Sequence, residues 1–153
     1  MPLTIDLVLP TLHSYVRTTR RAVAGWLEDA GLPAPLRDDL VMAIAEACNN
    51  VVQHAFPEGR GTFRLALQLQ PGEVVVDVSD DGVGFEPIAQ SVAPRGRLAG
   101  GGRGIEIMRR LVSAVEVESP TGQGGTRIRL RQTLPPERLS PAQGWGSRPA
   151  ALR

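Results

Sequence analysis

The chain has 153 residues, enough for one domain with a substantial core, and its formal net charge is +1. Such a balanced charge argues against a nucleic-acid-binding protein, so no direct nucleic-acid partner is expected. The single cysteine, Cys48, excludes an intrachain disulfide and favours a reducing compartment. No apolar run reaches the length of a membrane span and no signal-peptide pattern is present, which predicts a cytoplasmic protein with no membrane partner.

The N-terminal part of the sequence predicts a strand followed by a long helix. Leucine and isoleucine alternate with other residues over 3–9, as expected of a strand with one buried face. Residues 11–30 carry an apolar stripe of helical period, in which we include Tyr15. Arg17 and Arg21 fall on the opposite, solvent side of this predicted helix.

A second helix is predicted to begin near Pro35, a favourable residue for the first turn. Asp38 and Asp39 are expected to interact with the positive end of its dipole. At about 100° per residue, Glu46 and Asn50 fall in a narrow arc beside the apolar stripe. We therefore expect the stripe to face the core and the polar arc to face a ligand.

The remaining pattern predicts a sheet with one buried and one solvated face, which is typical of antiparallel pairing. Helices then cover one face, and the expected fold is a two-layer α/β sandwich with a largely antiparallel or mixed sheet. Asp80 continues the phase of the preceding valines and is predicted to point toward the helices. The further elements are strands over residues 63–69, 74–78, 114–119 and 127–131, and a helix over 104–112.

Two segments lack periodicity. Residues 85–102 are rich in glycine and small residues and contain Arg95 and Arg97, and a long loop of this kind is either a functional lid, mobile without its ligand, or disordered. Residues 135–153 are rich in proline and glycine and are predicted to form a disordered tail. The expected organisation is therefore one domain over residues 1–134 followed by the tail.

Glu46 and Asn50 lie one helical turn apart in the segment EACNNVVQH. An amide oxygen together with phosphate oxygens suits Mg²⁺, and a nearby carboxylate could accept a proton from an attacking hydroxyl. The alternative is an ordinary solvated helix face. His54, at the end of this segment, is interpreted as a packed helix-end residue and not as a ligand.

Asp80, Gly82 and Gly84 form the segment DDGVGF with their neighbours. The carboxylate could accept a hydrogen bond from the adenine amino group, and the glycines would let the backbone approach the ring. A hairpin turn with an acidic flank is the alternative, because Asp-Gly is a common turn signal.

Two further glycine clusters suit a phosphate ligand or a turn. Gly102 and Gly104 belong to the segment GGGRGIEIM, and backbone N–H groups at a helix start bind phosphate well. Gly124 and Gly125 precede Thr126 and open the last predicted strand. A flexible loop and a glycine turn are the respective alternatives. No GxxxxGK[ST] segment is present, which argues against a P-loop enzyme.

In this order, the four segments resemble the N, G1, G2 and G3 boxes of the GHKL (Bergerat-fold) ATPases. The segment EACNNVVQHAF and the N-terminal strand and helix are most similar to those of small anti-sigma-factor serine/threonine kinases of bacterial partner-switching systems. The resemblance spans roughly residues 5–133. It implies a general base at Glu46, a magnesium ligand at Asn50, adenine recognition by Asp80 with Gly82 and Gly84, phosphate binding by Gly102 and Gly104, a G3 threonine at Thr126, and charge neutralisation by Arg103.

The resemblance also implies an activity and partners. It implies a Mg-ATP-dependent kinase that phosphorylates a Ser or Thr of an anti-anti-sigma (STAS-type) protein, sequesters a sigma factor and forms a homodimer. It further implies that the first helix, with Arg17, Arg20 and Arg21, meets the protein partners. Two alternatives stay open: an ATP-binding switch module without kinase activity, and a detached histidine-kinase-type catalytic domain.

Overall fold

A computed structural model of the protein describes residues 3–84, 101–122 and 124–136. Residues 85–100 of the predicted lid, with Arg95 and Arg97, and nearly all of the predicted tail lie outside these residues. The elements are β1 (Leu3–Pro10), α1 (His13–Asp29), α2 (Ala34–His54), β2 (Thr62–Gln70), β3 (Glu73–Asp80), α3 (Gly101–Leu111), β4 (Ala114–Glu118) and β5 (Arg127–Thr133).

The strands form one five-stranded sheet in the order β1-β2-β3-β5-β4, and every neighbouring pair is antiparallel. In the register, Phe63 of β2 lies opposite Asp80 at the end of β3. Pro10 of β1 pairs with Thr62, next to Phe63. The C-terminal ends of β1 and β3 therefore lie at the same end of the sheet's strands. Helix α2 packs against β3 and β5 and α3 packs against β4, and the predicted two-layer α/β sandwich is confirmed.

Helix α2 is the centre of the helical layer, because it packs against α1, against α3 and against β3 and β5. The core lies between this layer and the buried face of the sheet. Val74, Val76 and Val78 of β3 are all fully buried there, as their alternation predicts. Among the largest side chains of the same core are Leu27, Leu40, Ile44, Leu65, Leu67, Met108, Ile128 and Leu130.

Helix α1 buries a slightly different stripe from the one predicted. Its buried residues include Thr19, whereas the side chain of Tyr15, assigned to the stripe, is 45% exposed. Thr19 lies three residues after Val16 and four before Val23, so helical spacing places it on the face that meets α2. Arg17 and Arg21 are exposed, in agreement with the prediction.

Helix α2 begins within one residue of the prediction near Pro35, whereas α3 begins earlier than predicted. Helix α2 starts at Ala34, so its first turn contains no acidic residue. Asp38 lies beyond that turn and forms an ion pair of 3.5 Å with Arg37. The predicted contribution of Asp38 and Asp39 to the first turn is therefore wrong. Helix α3 starts at Gly101, three residues before the predicted start.

The other face of the sheet carries arginine–carboxylate pairs. Asp77 accepts two hydrogen bonds of 2.8 Å from Arg129 and a third of 3.2 Å from Arg127. Burial raises the pKa of Asp77, but these arginines outweigh burial and hold its pKa below the usual range. Arg64 forms a similar two-bond pair with Asp6. Among the helices that the structure describes, none is long and apolar enough to cross a membrane.

Candidate nucleotide-binding site

Asn50 and Glu46 lie where α2 meets the beginning of α3. The Asn50 side chain is buried, with 7% exposure, and Glu46 is half-buried. A methyl group added at Gly104 of α3 would lie 3.1 Å from Asn50 Oδ1 and 3.5 Å from Glu46 Oε2. The polar arc of α2 is thus partly covered by a neighbouring helix, which approaches closely because Gly104 has no side chain.

The buried amide of Asn50 has no hydrogen-bond partner within residues 3–84, 101–122 and 124–136. Buried polar groups are nearly always satisfied, because an unpaired one costs about 1–3 kcal/mol. The Oδ1 atom is therefore available to a ligand at the start of α3. An amide oxygen in this position fits a magnesium ion that also contacts phosphate oxygens.

Asp80 points toward the helical layer, in agreement with its phase in β3. Its carboxylate accepts a hydrogen bond of 2.9 Å from the backbone N–H of Gly82 and another from the backbone N–H of Thr126. The backbone N–H of Asp80 in turn donates to the Thr126 carbonyl at 2.9 Å. Burial raises the pKa of Asp80 above its usual range, although both backbone hydrogen bonds oppose that shift.

Asp80 and Asn50 line one pocket between the end of α2 and the sheet. Thr126, which is buried, forms part of the same wall. His54 also lines this pocket and is exposed, so its interpretation as a packed residue is wrong. The sequence does contain a signal that His54 lies on the same side of α2 as Asn50. His54 follows Asn50 by four residues, and residues four apart share a helix face. The complete lining is Asn50, Val51, His54, Ala55, Asp80, Gly84, Thr126 and Ile128.

The glycines around Asp80 are required by the local packing. A methyl group at Gly82 would lie 2.0 Å from the Ala55 carbonyl oxygen, which accepts the backbone N–H of Val83 at 3.0 Å. The loop after β3 is thereby held against the last residues of α2. Gly125 has a φ of +72°, and a methyl group there would lie 2.0 Å from the Asp80 carbonyl oxygen. These contacts hold Asp80 and Thr126 side by side.

The start of α3 continues the site beyond Asn50. Gly102 and Gly104 both lie in the first turn of this helix, whose N–H groups and positive dipole end suit phosphate oxygens. Arg103 lies between them and is exposed. The structure therefore brings together the pocket at Asp80, the amide of Asn50 and the beginning of α3. Asn50 joins the two ends, because it lines the pocket and its side chain also lies beside Gly104.

Residues 9–132 match the family model described as a histidine kinase-like ATPase domain. The chain is 32% identical over 130 residues to a serine-protein kinase RsbW of Halalkalibacterium halodurans, with 79% of each chain covered. It is 29% identical over 99 residues to an anti-sigma F factor of Clostridium acetobutylicum, which covers 62% of this chain and 68% of the relative.

Solved structures show the same fold. The RsbU and RsbW domains of Rv1364c from Mycobacterium tuberculosis match with a TM-score of 0.63 at 24% identity, covering 87% of this chain and 33% of that one. SiaB in the SiaB–SiaC complex of Pseudomonas aeruginosa matches with a TM-score of 0.58 at 18% identity, covering 87% and 91%. The predicted resemblance to GHKL anti-sigma-factor kinases is confirmed by the sequence relatives, and the chain belongs to the family of histidine kinase-like ATPase domains.

Proposed function

We propose that this protein is a Mg-ATP-dependent serine/threonine kinase that phosphorylates an anti-anti-sigma (STAS-type) protein and, in its other state, sequesters a sigma factor. Membership of an ATPase-domain family implies the use of ATP, and the similarity to a serine-protein kinase and an anti-sigma factor supports the protein substrate. The protein acts in the cytoplasm, as a homodimer. The observation that carries the proposal is the position of Asn50 between the Asp80 pocket and Gly104.

In this proposal the adenine ring occupies the pocket at Asp80. The carboxylate accepts a hydrogen bond from the adenine amino group, and its two backbone hydrogen bonds fix its orientation. The triphosphate then extends past Asn50 to the beginning of α3. There the backbone N–H groups near Gly102 and Gly104 bind its oxygens, and Arg103 neutralises part of their charge.

Asn50 is the protein ligand proposed for magnesium, because its buried Oδ1 atom lacks a partner in the described part of the chain. When bound, the ion supplies positive charge to the phosphate oxygens. Glu46 lies one turn earlier on the same helix and also contacts the Gly104 position. In this proposal its half-buried carboxylate accepts the proton of the attacking serine hydroxyl. The hydroxyl oxygen bonds to the γ-phosphorus as the bond from that phosphorus to the β–γ bridging oxygen breaks, and ADP leaves. Most of the catalytic effect then comes from positioning and charge stabilisation.

Replacing Glu46 by glutamine tests this assignment. The amide keeps the size of the side chain but is a poor proton acceptor, so Mg-ATP binding should persist while phosphoryl transfer falls about 10²–10⁴-fold. Transfer of labelled phosphate from ATP to a purified anti-anti-sigma protein measures the rate, and calorimetry measures binding. Transfer at the parent rate by Glu46→Gln would show that Glu46 is not the base.

The same assay separates the two alternatives. A parent protein that binds Mg-ATP and its partner but transfers no phosphate would be a switch module without kinase activity. An acid-labile phosphohistidine on the partner, in place of an acid-stable phosphoserine, would identify a histidine-kinase-type catalytic domain. Either result would overturn the proposed serine/threonine kinase activity and leave the nucleotide site intact.

A further inference from the structure

Strand β1 forms one edge of the sheet. It pairs with β2 along all eight of its residues, Leu3–Pro10, without a bulge, and no second strand pairs with it within residues 3–84, 101–122 and 124–136. About half of its backbone N–H and C=O groups therefore point away from β2, because these groups alternate in direction along a strand. An edge of this kind is a template for pairing with another strand.

The two edge strands of the sheet differ in the features that prevent such pairing. Proteins protect an edge by keeping it short or by placing charged side chains on it. The opposite edge, β4, has five residues, of which Glu116 and Glu118 are exposed acids, and Glu116 lies 3.8 Å from Arg131. β1 is longer and carries one charged side chain, Asp6, whose charge is matched by Arg64 of β2. β4 is thus protected against pairing, whereas β1 is not.

β1 also presents apolar surface on both faces of the sheet. On the helical side its alternate residues, three leucines and an isoleucine from Leu3 to Leu9, are only half-buried. By contrast Leu65, which lies opposite Leu7 on β2, is fully buried. On the other side Val8 is 69% exposed, the largest exposure of a large apolar side chain in the described part of the chain. A further strand beside β1 would cover both apolar surfaces.

We infer that β1 pairs with β1 of a second copy of this chain, antiparallel about a two-fold axis, so that two five-stranded sheets join into one sheet of ten strands. The inference rests on the proposed homodimer and names its interface. A two-fold axis brings the same surface of both copies together. The second copy therefore supplies an edge of equal length with the same apolar row, and each exposed feature of β1 meets its own counterpart.

The side chains of β1 favour one register for this pair. Residues that lie directly opposite each other in an antiparallel pair are on the same face of the sheet, and the two longest registers that satisfy this are centred on Asp6 and on Leu7. The first would place the two Asp6 side chains opposite each other, which is destabilising for like charges. The second places Asp6 opposite Val8 of the second copy. Because Val8 lies opposite Arg64 within each chain, Asp6 then shares a row with Arg64 of the second copy, two strands or about 10 Å away.

A cysteine at the predicted axis tests the interface. In the Leu7→Cys variant the two new thiols meet at the axis, where opposite Cα atoms lie about 4.5–5.5 Å apart, a distance that a disulfide can span. The natural Cys48 should not react, because it is buried and burial raises the pKa of its thiol to about 12. Oxidation of the full-length variant with copper phenanthroline should therefore give a cross-linked dimer on a non-reducing gel. Val117→Cys, at a half-buried position of β4, is the matched control and should stay uncross-linked; equal cross-linking of the two variants would overturn the inference.

Charges placed at Val8 test the register without a change in the core. Val8→Asp puts an acid opposite Asp6 of the second copy and beside Arg64 of its own chain, so the single chain should fold while the dimer weakens. With two like-charge pairs in each dimer, the Kd for dimerisation measured by analytical ultracentrifugation should rise about two- to thirtyfold. Val8→Lys is the matched control, because its opposite charge faces Asp6 of the second copy, and it should keep or lower the parent Kd. An equal Kd for the two variants would overturn the proposed pairing.

Sedimentation of the parent distinguishes this inference from the rest of the proposed function. The full-length parent should sediment as a dimer, at twice the chain mass of 16.4 kDa. A monomeric parent, with β1 covered by another part of its own chain or by a different protein, would overturn both the inference and the proposed homodimer. A dimeric parent whose Leu7→Cys variant does not cross-link would overturn the β1 interface and leave the homodimer. None of these measurements depends on phosphate transfer, so the proposed kinase activity stands or falls separately.

Discussion

Replacing Gly104 by alanine should separate stability from nucleotide binding. Alanine is favoured over glycine inside a helix by about 0.8–1.0 kcal/mol, so α3 itself gains from the change. The new methyl group, however, would lie 3.1 Å from Oδ1 and 3.3 Å from Nδ2 of Asn50. These distances are a few tenths of an ångström shorter than an ordinary carbon contact of about 3.5 Å, so the Asn50 amide must shift.

The shift should weaken Mg-ATP binding because magnesium tolerates little departure from octahedral geometry. We expect a loss of about 1 kcal/mol, equivalent to a roughly fivefold higher Kd for Mg-ATP, while the free energy of unfolding stays near the parent value or rises. Calorimetry measures the affinity, and thermal unfolding without nucleotide measures the stability.

Gly25 provides the matched control for this experiment. It lies inside α1, and nothing is found within 4 Å of a methyl group added there. Gly25→Ala should therefore raise the free energy of unfolding by up to about 1 kcal/mol, or Tm by about 2–4 °C, with no change in the Kd for Mg-ATP. If Gly104→Ala binds Mg-ATP as tightly as Gly25→Ala, then Gly104 does not provide the space that Asn50 needs, and the proposed position of the magnesium ion is wrong.

Two carboxylates on opposite faces of β3 should respond differently to substitution and to pH. Asp80→Asn should raise the Kd for ATP about ten- to a hundredfold, the value of a hydrogen bond to a charged group, as calorimetry would show. Burial raises the pKa of Asp80 above the usual range for aspartate. ATP binding by the parent should therefore weaken as the pH falls through that raised pKa. A Kd for ATP that does not change with pH would contradict this. The pKa of Asp77 is lowered, so the stability that it contributes is present above its ordinary value near about 3.9 and is lost as the pH falls through the lowered pKa. Denaturant unfolding should accordingly show Asp77→Asn less stable than the parent near neutral pH, with the difference disappearing in acid.

The sheet could be predicted from the sequence because apolar residues recur at every second position of a strand, which shows which face of the strand is buried. Val74, Val76 and Val78 fixed the phase of β3, and that phase correctly placed Asp80 on the helical side. The stripe of α1 was less clear, since Thr19 is polar by type and Tyr15 is apolar by type. Whether a helix residue is buried depends on whether another element packs over it. The type of the residue indicates this only in part.

Contacts between segments distant in the sequence could not be predicted from periodicity. The closeness of Gly104 to Asn50 depends on how α3 packs on α2, and the contact of Ser119 with Thr126 depends on how the loop after β4 returns to β5. Each of these features is a tertiary contact with no local signature.

The glycines near Asp80 have a packing role that their sequence pattern does not predict. From the sequence, Gly82 was expected to let the backbone approach the adenine ring. In the structure the space beside Gly82 is occupied by the Ala55 carbonyl at the end of α2, and the space beside Gly125 by the Asp80 carbonyl. Both glycines therefore serve the packing of the protein before any nucleotide binds. Because the same contacts fix Asp80 relative to Asn50 and Thr126, the relative positions of these three pocket residues are set by the packing of the fold.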